Sequence, residues 1–168
     1  MKRLWVHSFQ TPLGMIHIAS TDKGLALLTL PGESSDWFHK AIASKFPGHE
    51  VVEGGTANRK VERQVGEYFA GRRRRFDLPL DLRAAPFHQK VLKEVARIPY
   101  GETKTYGDIA RAVRNPGASR AVGMANARNL IPIVIPCHRV VGSTGLGGYG
   151  GGLDMKKFLL RLESVAGL

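Results

Sequence analysis

The sequence predicts an α+β chain in two parts. Residues 1–80 form a small N-terminal α/β domain with an antiparallel sheet, and residues 81–168 a mainly helical C-terminal winged helix-turn-helix domain holding the only cysteine. Three observations predict this. The first thirty residues alternate in short apolar blocks broken by turns, the pattern turns helical from Pro86 onward, and two short helical stretches meet at a tight Gly-containing turn. A chain of 168 residues that is 43% hydrophobic can bury a core of this size.

Taken in order, "LWVHSF", "MIHIAS" and "LALLTL" are separated by "TPLG" and "DKG", which is the form of a strand meander. "DWFHKAIASKF" has helical spacing. In "VERQVGEYFAG", Val61, Val65, Tyr68 and Phe69 fall on one helical face and Gly71 stands where a C-terminal cap belongs. "RRRRFDLPLDLRAAP" then reads as the connection between domains. Its run Arg72 to Arg75 is either a solvated helix end or a secondary phosphate contact.

In "PFHQKVLKEVARI", Pro86 suits a first helical turn, and Phe87, Val91, Leu92 and Val95 share a face. "PYGETK" interrupts the pattern. Thr105 is placed to cap the helix of "TYGDIARAV", with Asp108 completing a capping box and Ile109, Ala110 and Val113 turned inward. After the turn "RNPG", "ASRAVGMANAR" starts a second helix, slim because of Ala118, Ala121, Gly123, Ala125 and Ala127, with Arg120 and Arg128 its only charges. Such a helix can enter a narrow groove of DNA or pack tightly in a core with its arginines reaching out. "IPIVIP" and "HRVVG" read as β segments, and "GSTGLGGYGGG" as loop or hairpin. "LDMKKFLLRLES" closes the chain as a helix with Leu153, Leu159, Leu160 and Leu162 as its apolar side.

Net charge is +11. Residues 1–85 carry 13 Lys and Arg against 9 Asp and Glu, and residues 86–168 carry 12 against 5, so the second half is the more basic. A polyanion is the leading class of partner, with charge used for solubility as the alternative. One cysteine can form neither an intramolecular disulfide nor a multi-thiolate metal site, so a reducing compartment is expected and no metal or cofactor. No apolar run approaches the roughly 20 residues that span a bilayer, and "MKRLWVHSFQ" has no signal-peptide core. No membrane partner is expected, and the cytoplasm or nucleoid is the expected location.

The remaining question is Cys137, in "IPIVIPCHRVVG". A lone cysteine among apolar residues is most often an inert small hydrophobe. Against that reading, Pro136 fixes the backbone before it, His138 offers a base, and surrounding cations favour the thiolate, conditions under which a cysteine pKa falls toward neutrality. Glu163 is the candidate acid to orient the histidine, because the closing helix must pack back on this core.

The motifs "IPYGETK", "TYGDIARAV", "ASRAVGMANARN", "IPCHRVVG" and "GYGGGLDMKKFLLRLE" together resemble the O6-alkylguanine-DNA alkyltransferases over residues 86–163. "EYFAG" and "FDLPLD" resemble the end of that family's N-terminal domain. The resemblance implies direct reversal of DNA damage: O6-alkylguanine, with O4-alkylthymine a second candidate, is flipped out of the duplex and its alkyl group passes irreversibly to the protein's own cysteine, once per molecule. It implies Cys137 as acceptor, His138 as a base acting through a water, Glu163 as the acid behind it, and Asn129 as the brace of the turn. Tyr106 and Arg120 are implied in base extrusion, with Ala121, Gly123 and Arg128 on the DNA-binding helix. Tyr106, Val140, Ser143, Tyr149 and Gly150 are implied as the alkylguanine pocket. The implied partner is double-stranded DNA containing alkylated guanine, held through its minor groove by a monomer, with cooperative binding along DNA left open. Two other readings make different predictions: a winged-helix DNA-binding or damage-sensing protein binds DNA without transfer, and a cysteine hydrolase turns over without DNA.

Overall fold

The computed structural model describes residues 2–168 and divides into two compact units, up to Leu82 and from Arg83 onward. In the first, β1 (Arg3–Thr11), β2 (Gly14–Thr21) and β3 (Gly24–Leu28) form an antiparallel meander, followed by α1 (Ser35–Lys45), β4 (Glu50–Glu53) and α2 (Thr56–Phe69). The sheet order is β3-β2-β1-β4, with β4 parallel to β1. That fourth strand has no counterpart in the sequence reading: "EVVE" is short and largely exposed, so it lacks the apolar alternation that marks a half-buried strand.

Local chemistry explains the turns. Thr11 Oγ1 accepts from Leu13 N at 3.2 Å and donates to Gly14 O at 2.7 Å, closing the β1–β2 hairpin. At Gly24 any side chain is excluded, because a Cβ there would lie 2.2 Å from the Pro79 carbonyl oxygen. That close approach lets Leu25 N donate to Pro79 O at 2.9 Å and Asp81 N donate to Leu25 O at 2.8 Å, so "LPLD" lies along the outer edge of β3. It covers backbone groups an edge strand would otherwise leave open, and part of what reads as a linker belongs to this unit. Helix α2 ends in a Schellman motif, with Gly71 at φ 74°, Gly71 N donating to Tyr68 O and Arg72 N donating to Glu67 O. The core gathers Leu4, Ile16, Ile18, Leu25, Leu27, Val61, Val65 and Tyr68.

The second unit contains α3 (Pro86–Val95), β5 (Lys104–Thr105), α4 (Tyr106–Ala112), α5 (Ser119–Ala127), a 3-10 turn (Cys137–Arg139), β6 (Val140–Val141) and α6 (Leu153–Leu162). The capping box at α4 is formed, with Thr105 Oγ1 accepting from Asp108 N at 3.0 Å and Asp108 Oδ2 accepting from Thr105 N at 2.9 Å. Helices α4 and α5 pack on each other and on α3, and β5 pairs with β6 in a parallel ribbon. These are the helix-turn-helix and its wing.

Two local expectations are corrected. "IPIVIP" is not a strand: residues 131–136 fold as a compact turn with Ile133 at φ 72°, an isolated Pro132–Ile135 bridge, and Ile135 N bonded to Ile131 O at 2.9 Å. Burial here requires the chain to fold back on itself, and flanking prolines deny it ladder donors. On α6, Leu153 faces solvent at 47% exposure, whereas Lys156 is fully buried beside Leu159 and Leu160.

Candidate active site

Cys137 opens the 3-10 turn, and the backbone around it is fixed by two asparagines at the end of α5. Asn129 Nδ2 donates to Ile135 O at 3.0 Å and Asn129 Oδ1 accepts from Ile131 N at 2.9 Å, so one side chain ties both ends of the preceding turn. Asn126 Nδ2 donates to the Cys137 carbonyl at 3.0 Å. Cys137 as a residue is buried, only 5% exposed.

Burial pushes the Cys137 pKa up, although a hydrogen bond from Asn129, the Lys156 ammonium, a local backbone donor and Tyr149 all favour the thiolate. The expectation of a depressed thiol is therefore corrected: desolvation outweighs the cations that the sequence places nearby. His138, also fully buried, is pushed the other way by the same cause. Burial lowers its pKa, opposed by Glu163, while the Arg139 and Lys156 charges add to the lowering. The resting pair is thus neutral thiol and neutral imidazole.

The orientation of that imidazole is defined. His138 Nε2 lies 2.7 Å from Glu163 Oε2, so it carries the proton and donates, and Nδ1 is left with its lone pair and no protein partner. Glu163 is the C-cap of α6, fixed by the left-handed Ser164 (φ 59°), whose N–H donates to Arg161 O while Val165 N donates to Leu160 O. Glu163 Oε1 accepts from Arg139 Nε at 2.8 Å and Oε2 from Arg139 Nη2 at 3.0 Å, while Arg139 Nη1 donates to Ile98 O at 2.6 Å.

Lys156 ties the glycine loop to β6. Lys156 Nζ donates to Val140 O at 2.6 Å and to Gly148 O at 3.0 Å, and burial lowers its pKa to about 8. Tyr106, the first residue of α4, is half-buried against this loop. A Cβ on Gly147 would lie 2.8 Å from its ring and hydroxyl, and a hydrogen bond joins it to the Gly148 backbone. Burial, and to a lesser degree the charge that Cys137 would carry, raise the Tyr106 pKa.

The structure therefore brings Cys137, His138, Glu163, Asn129, Tyr106, Tyr149 and Val140 into one cluster of contacts. Ser143 and Gly150 lie exposed on the loop between β6 and α6. Arg120, Ala121 and Arg128 share the exposed stripe of α5, but Gly123 instead faces the Tyr106 ring, 3.8 Å from where its Cβ would be. Four residues were not singled out from the sequence: Arg139, Lys156, Asn126, and Met124, which is 53% exposed at the centre of the α5 stripe. Lys156 carried a signal, since it falls on the apolar face of α6, where a lysine needs buried partners. Among the described residues no group of three His, Cys, Asp or Glu is arranged to hold a metal.

A buried thiol stands beside a neutral histidine with one free lone pair and a carboxylate fixing its tautomer, an arrangement able to supply a protein nucleophile, in the same unit as a helix-turn-helix. Residues 4–82 match the family described as "6-O-methylguanine DNA methyltransferase, ribonuclease-like domain", and residues 86–165 match "6-O-methylguanine DNA methyltransferase, DNA binding domain". The chain is 43% identical over 156 residues to the methylated-DNA–protein-cysteine methyltransferase of Methanosarcina acetivorans, covering 92% of this chain and 95% of the relative. It is likewise 43% identical over 159 residues to the constitutive enzyme of that name from Bacillus subtilis, covering 94% and 93%. The crystal structure of Mycobacterium tuberculosis OGT in complex with DNA superposes with a TM-score of 0.81 at 39% identity, covering 95% of this chain and 92% of that one. The chain belongs to the 6-O-methylguanine DNA methyltransferase family.

Proposed function

We propose that this chain is a DNA repair enzyme that transfers the alkyl group of O6-alkylguanine in duplex DNA to Cys137 Sγ, once per molecule. The observation that carries this is the His138 imidazole, fixed by Glu163 with Nδ1 free, beside the only thiol. In the reaction the thiol proton passes to Nδ1, through a water where the two are not in direct reach. The sulfur lone pair then forms the S–C bond as the C–O6 bond breaks. The electrons of that bond stay on the guanine, and the proton returns to it, giving an ordinary base and a thioether. Nothing in the site reverses a thioether, so the protein is consumed.

Neutral resting groups suit this order of events. A thiol held protonated by burial is protected from adventitious electrophiles, and its proton is drawn off by a base whose low pKa keeps its lone pair available at neutral pH. Asn129 and Asn126 hold the turn, and Tyr106, Val140, Tyr149 and the loop carrying Ser143 and Gly150 serve as the pocket for the extruded base.

DNA enters along α5. Its exposed stripe is Arg120, Ala121, Met124, Ala127 and Arg128, narrow, mostly apolar and flanked by two cations, a composition suited to the minor groove. Arg120 fills the place of the flipped nucleotide, and Tyr106 helps rotate it out. The protein acts as a monomer on each lesion, in the cytoplasm or nucleoid; among the described residues no helix is long and apolar enough to cross a membrane.

The test is restoration of guanine in a duplex carrying one O6-methylguanine, followed with limiting protein. Repair that stops at one lesion per protein molecule and is absent in Cys137→Ala is expected. Repair that continues beyond one equivalent, or duplex binding with no repair, overturns the reading.

A further inference from the structure

Beside the Cys137–His138–Glu163 line lies a buried arginine. Arg139 follows the histidine directly in the 3-10 turn, and its side chain is almost completely buried. Its guanidinium makes three bonds: Nε to Glu163 Oε1 at 2.8 Å, Nη2 to Glu163 Oε2 at 3.0 Å, and Nη1 to Ile98 O at 2.6 Å. The group also lies over the Tyr100 ring, 5.8 Å from its centroid, and Tyr100 Oη donates to Leu162 O at 3.1 Å. The arginine is thus clamped from three directions and grips the carboxylate with a two-pronged fork.

Glu163 Oε2 receives both the Arg139 and the His138 proton, so the arginine and the histidine compete for the charge of one carboxylate. A carboxylate facing only an imidazole in a buried site would draw that ring into the imidazolium form, which has no lone pair to act as a base. We propose that Arg139 is the positioning residue for the base: by taking both oxygens of Glu163 it fixes the carboxylate for the His138 Nε2–H and neutralises its charge, so that Nδ1 keeps its lone pair. The charges acting on His138 are Glu163 at the end of α6, Lys156 within α6 and Arg139 in its own turn, with the Cys137 thiol preceding it. Arg139 and Lys156 push the ring toward neutrality and Glu163 opposes them. Burial, the largest influence, also disfavours the imidazolium, and removing Arg139 takes away one of the two cations that act with burial against Glu163.

This deepens the alkyl-transfer reading and rests on it for its consequence, since a base matters only if Cys137 gives up a proton. The test therefore has one readout tied to the reaction and one independent of it. The first is the pH dependence of alkyl transfer from a methylated duplex, for the wild type, Arg139→Met and Arg139→Lys. The second is the ¹⁵N spectrum of the His138 ring, assigned by its loss in His138→Gln.

The wild type is expected to show a neutral ring protonated at Nε2. In Arg139→Met the acid limb of the rate profile moves up by about one pH unit or more. Transfer at pH values below both limbs then falls about tenfold, recovers at alkaline pH, and the ring takes up its second proton at a higher pH than in the wild type. Arg139→Lys, which can hold one oxygen at a time, lies between the two and decides the matter if Arg139→Met does not fold. A folded variant with the wild-type acid limb and an unchanged ring spectrum overturns the proposal. Ring spectra that shift as expected in a wild type that transfers no alkyl group would support Arg139 and refute the transfer reading.

Discussion

Glu163 is fully buried, paired with the Arg139 guanidinium and accepting from the neutral His138, and the cost of disturbing it follows from that. Glu163→Gln keeps the shape but leaves the Arg139 guanidinium buried without its counter-charge, so a loss of about 3–5 kcal/mol of unfolding free energy is expected. Chemical denaturation measures it, and a loss under about 1 kcal/mol would show that the pair is not buried in solution. Lys156 gives a second residue-scale prediction, with a defined sign. Its folded pKa of about 8 lies below the ordinary 10.5, so between those values the unfolded chain binds more protons and the lysine's contribution to stability rises with pH. The stability difference between wild type and Lys156→Met should therefore grow in favour of the wild type from pH 8 to pH 10, by up to about 1.4 kcal/mol per unit. A flat difference would mean that the ammonium is hydrated.

Of the charged residues buried in this core, Arg139 carried no sequence signal and Lys156 only its place on the apolar face of α6. Composition places charge on surfaces, and only tertiary partners, here Glu163, Ile98 O, Val140 O and Gly148 O, reverse that expectation. Cys137 and His138 stood out as a rare thiol beside a base, and Glu163 was a candidate only because its helix must pack back; the fold supplies the contact between His138 and that carboxylate. The thiol pKa was not legible, since its sign is set by burial, which a list of neighbouring cations does not reveal.

At the scale of elements, helices were read well where their caps and apolar faces agree. The Thr105–Asp108 box on α4 and Gly71 after α2 both stand where expected. The turn of residues 131–136 misled because its apolar run has the composition of a buried strand, whereas its shape comes from Asn129 bonding across it. Two helix ends carry a testable strain. Helices α4 and α6 close in Schellman motifs whose left-handed positions hold Arg114 (φ 61°) and Ser164 (φ 59°) where glycine is favoured. Arg114→Gly and Ser164→Gly should each stabilise by about 0.5–1 kcal/mol, read as a rise in melting temperature. A fall at either site would show that its side chain supplies more than its backbone strain costs. On α5, Arg120→Ala should slow transfer from a duplex far more than transfer from a free alkylguanine base, because only the duplex must give up a stacked nucleotide. Equal losses on both substrates would remove the arginine from extrusion.

For the whole molecule, the first unit supplies a sheet whose edge is closed by residues 79–81, and the second holds every residue of the site. The sequence distinguished these parts because the hydrophobic period changes after the connection, while β4 and the strand-edge role of "LPLD" depend on pairing that no local pattern carries. Alkylating Cys137 adds bulk to a site that is already closed, next to Asn129 and above the Asn126 bond to its carbonyl, so the reacted protein should melt below the unreacted one. Equal melting temperatures before and after reaction would mean that the pocket has room for the new group.

The most direct test of the account is peptide mass spectrometry of the protein after incubation with a duplex containing a single O6-methylguanine. A gain of one methylene per molecule, localised to Cys137 and absent in Cys137→Ala, is expected. An unmodified Cys137 in protein that has bound the same duplex would contradict it and return the cysteine to the role of a buried hydrophobe.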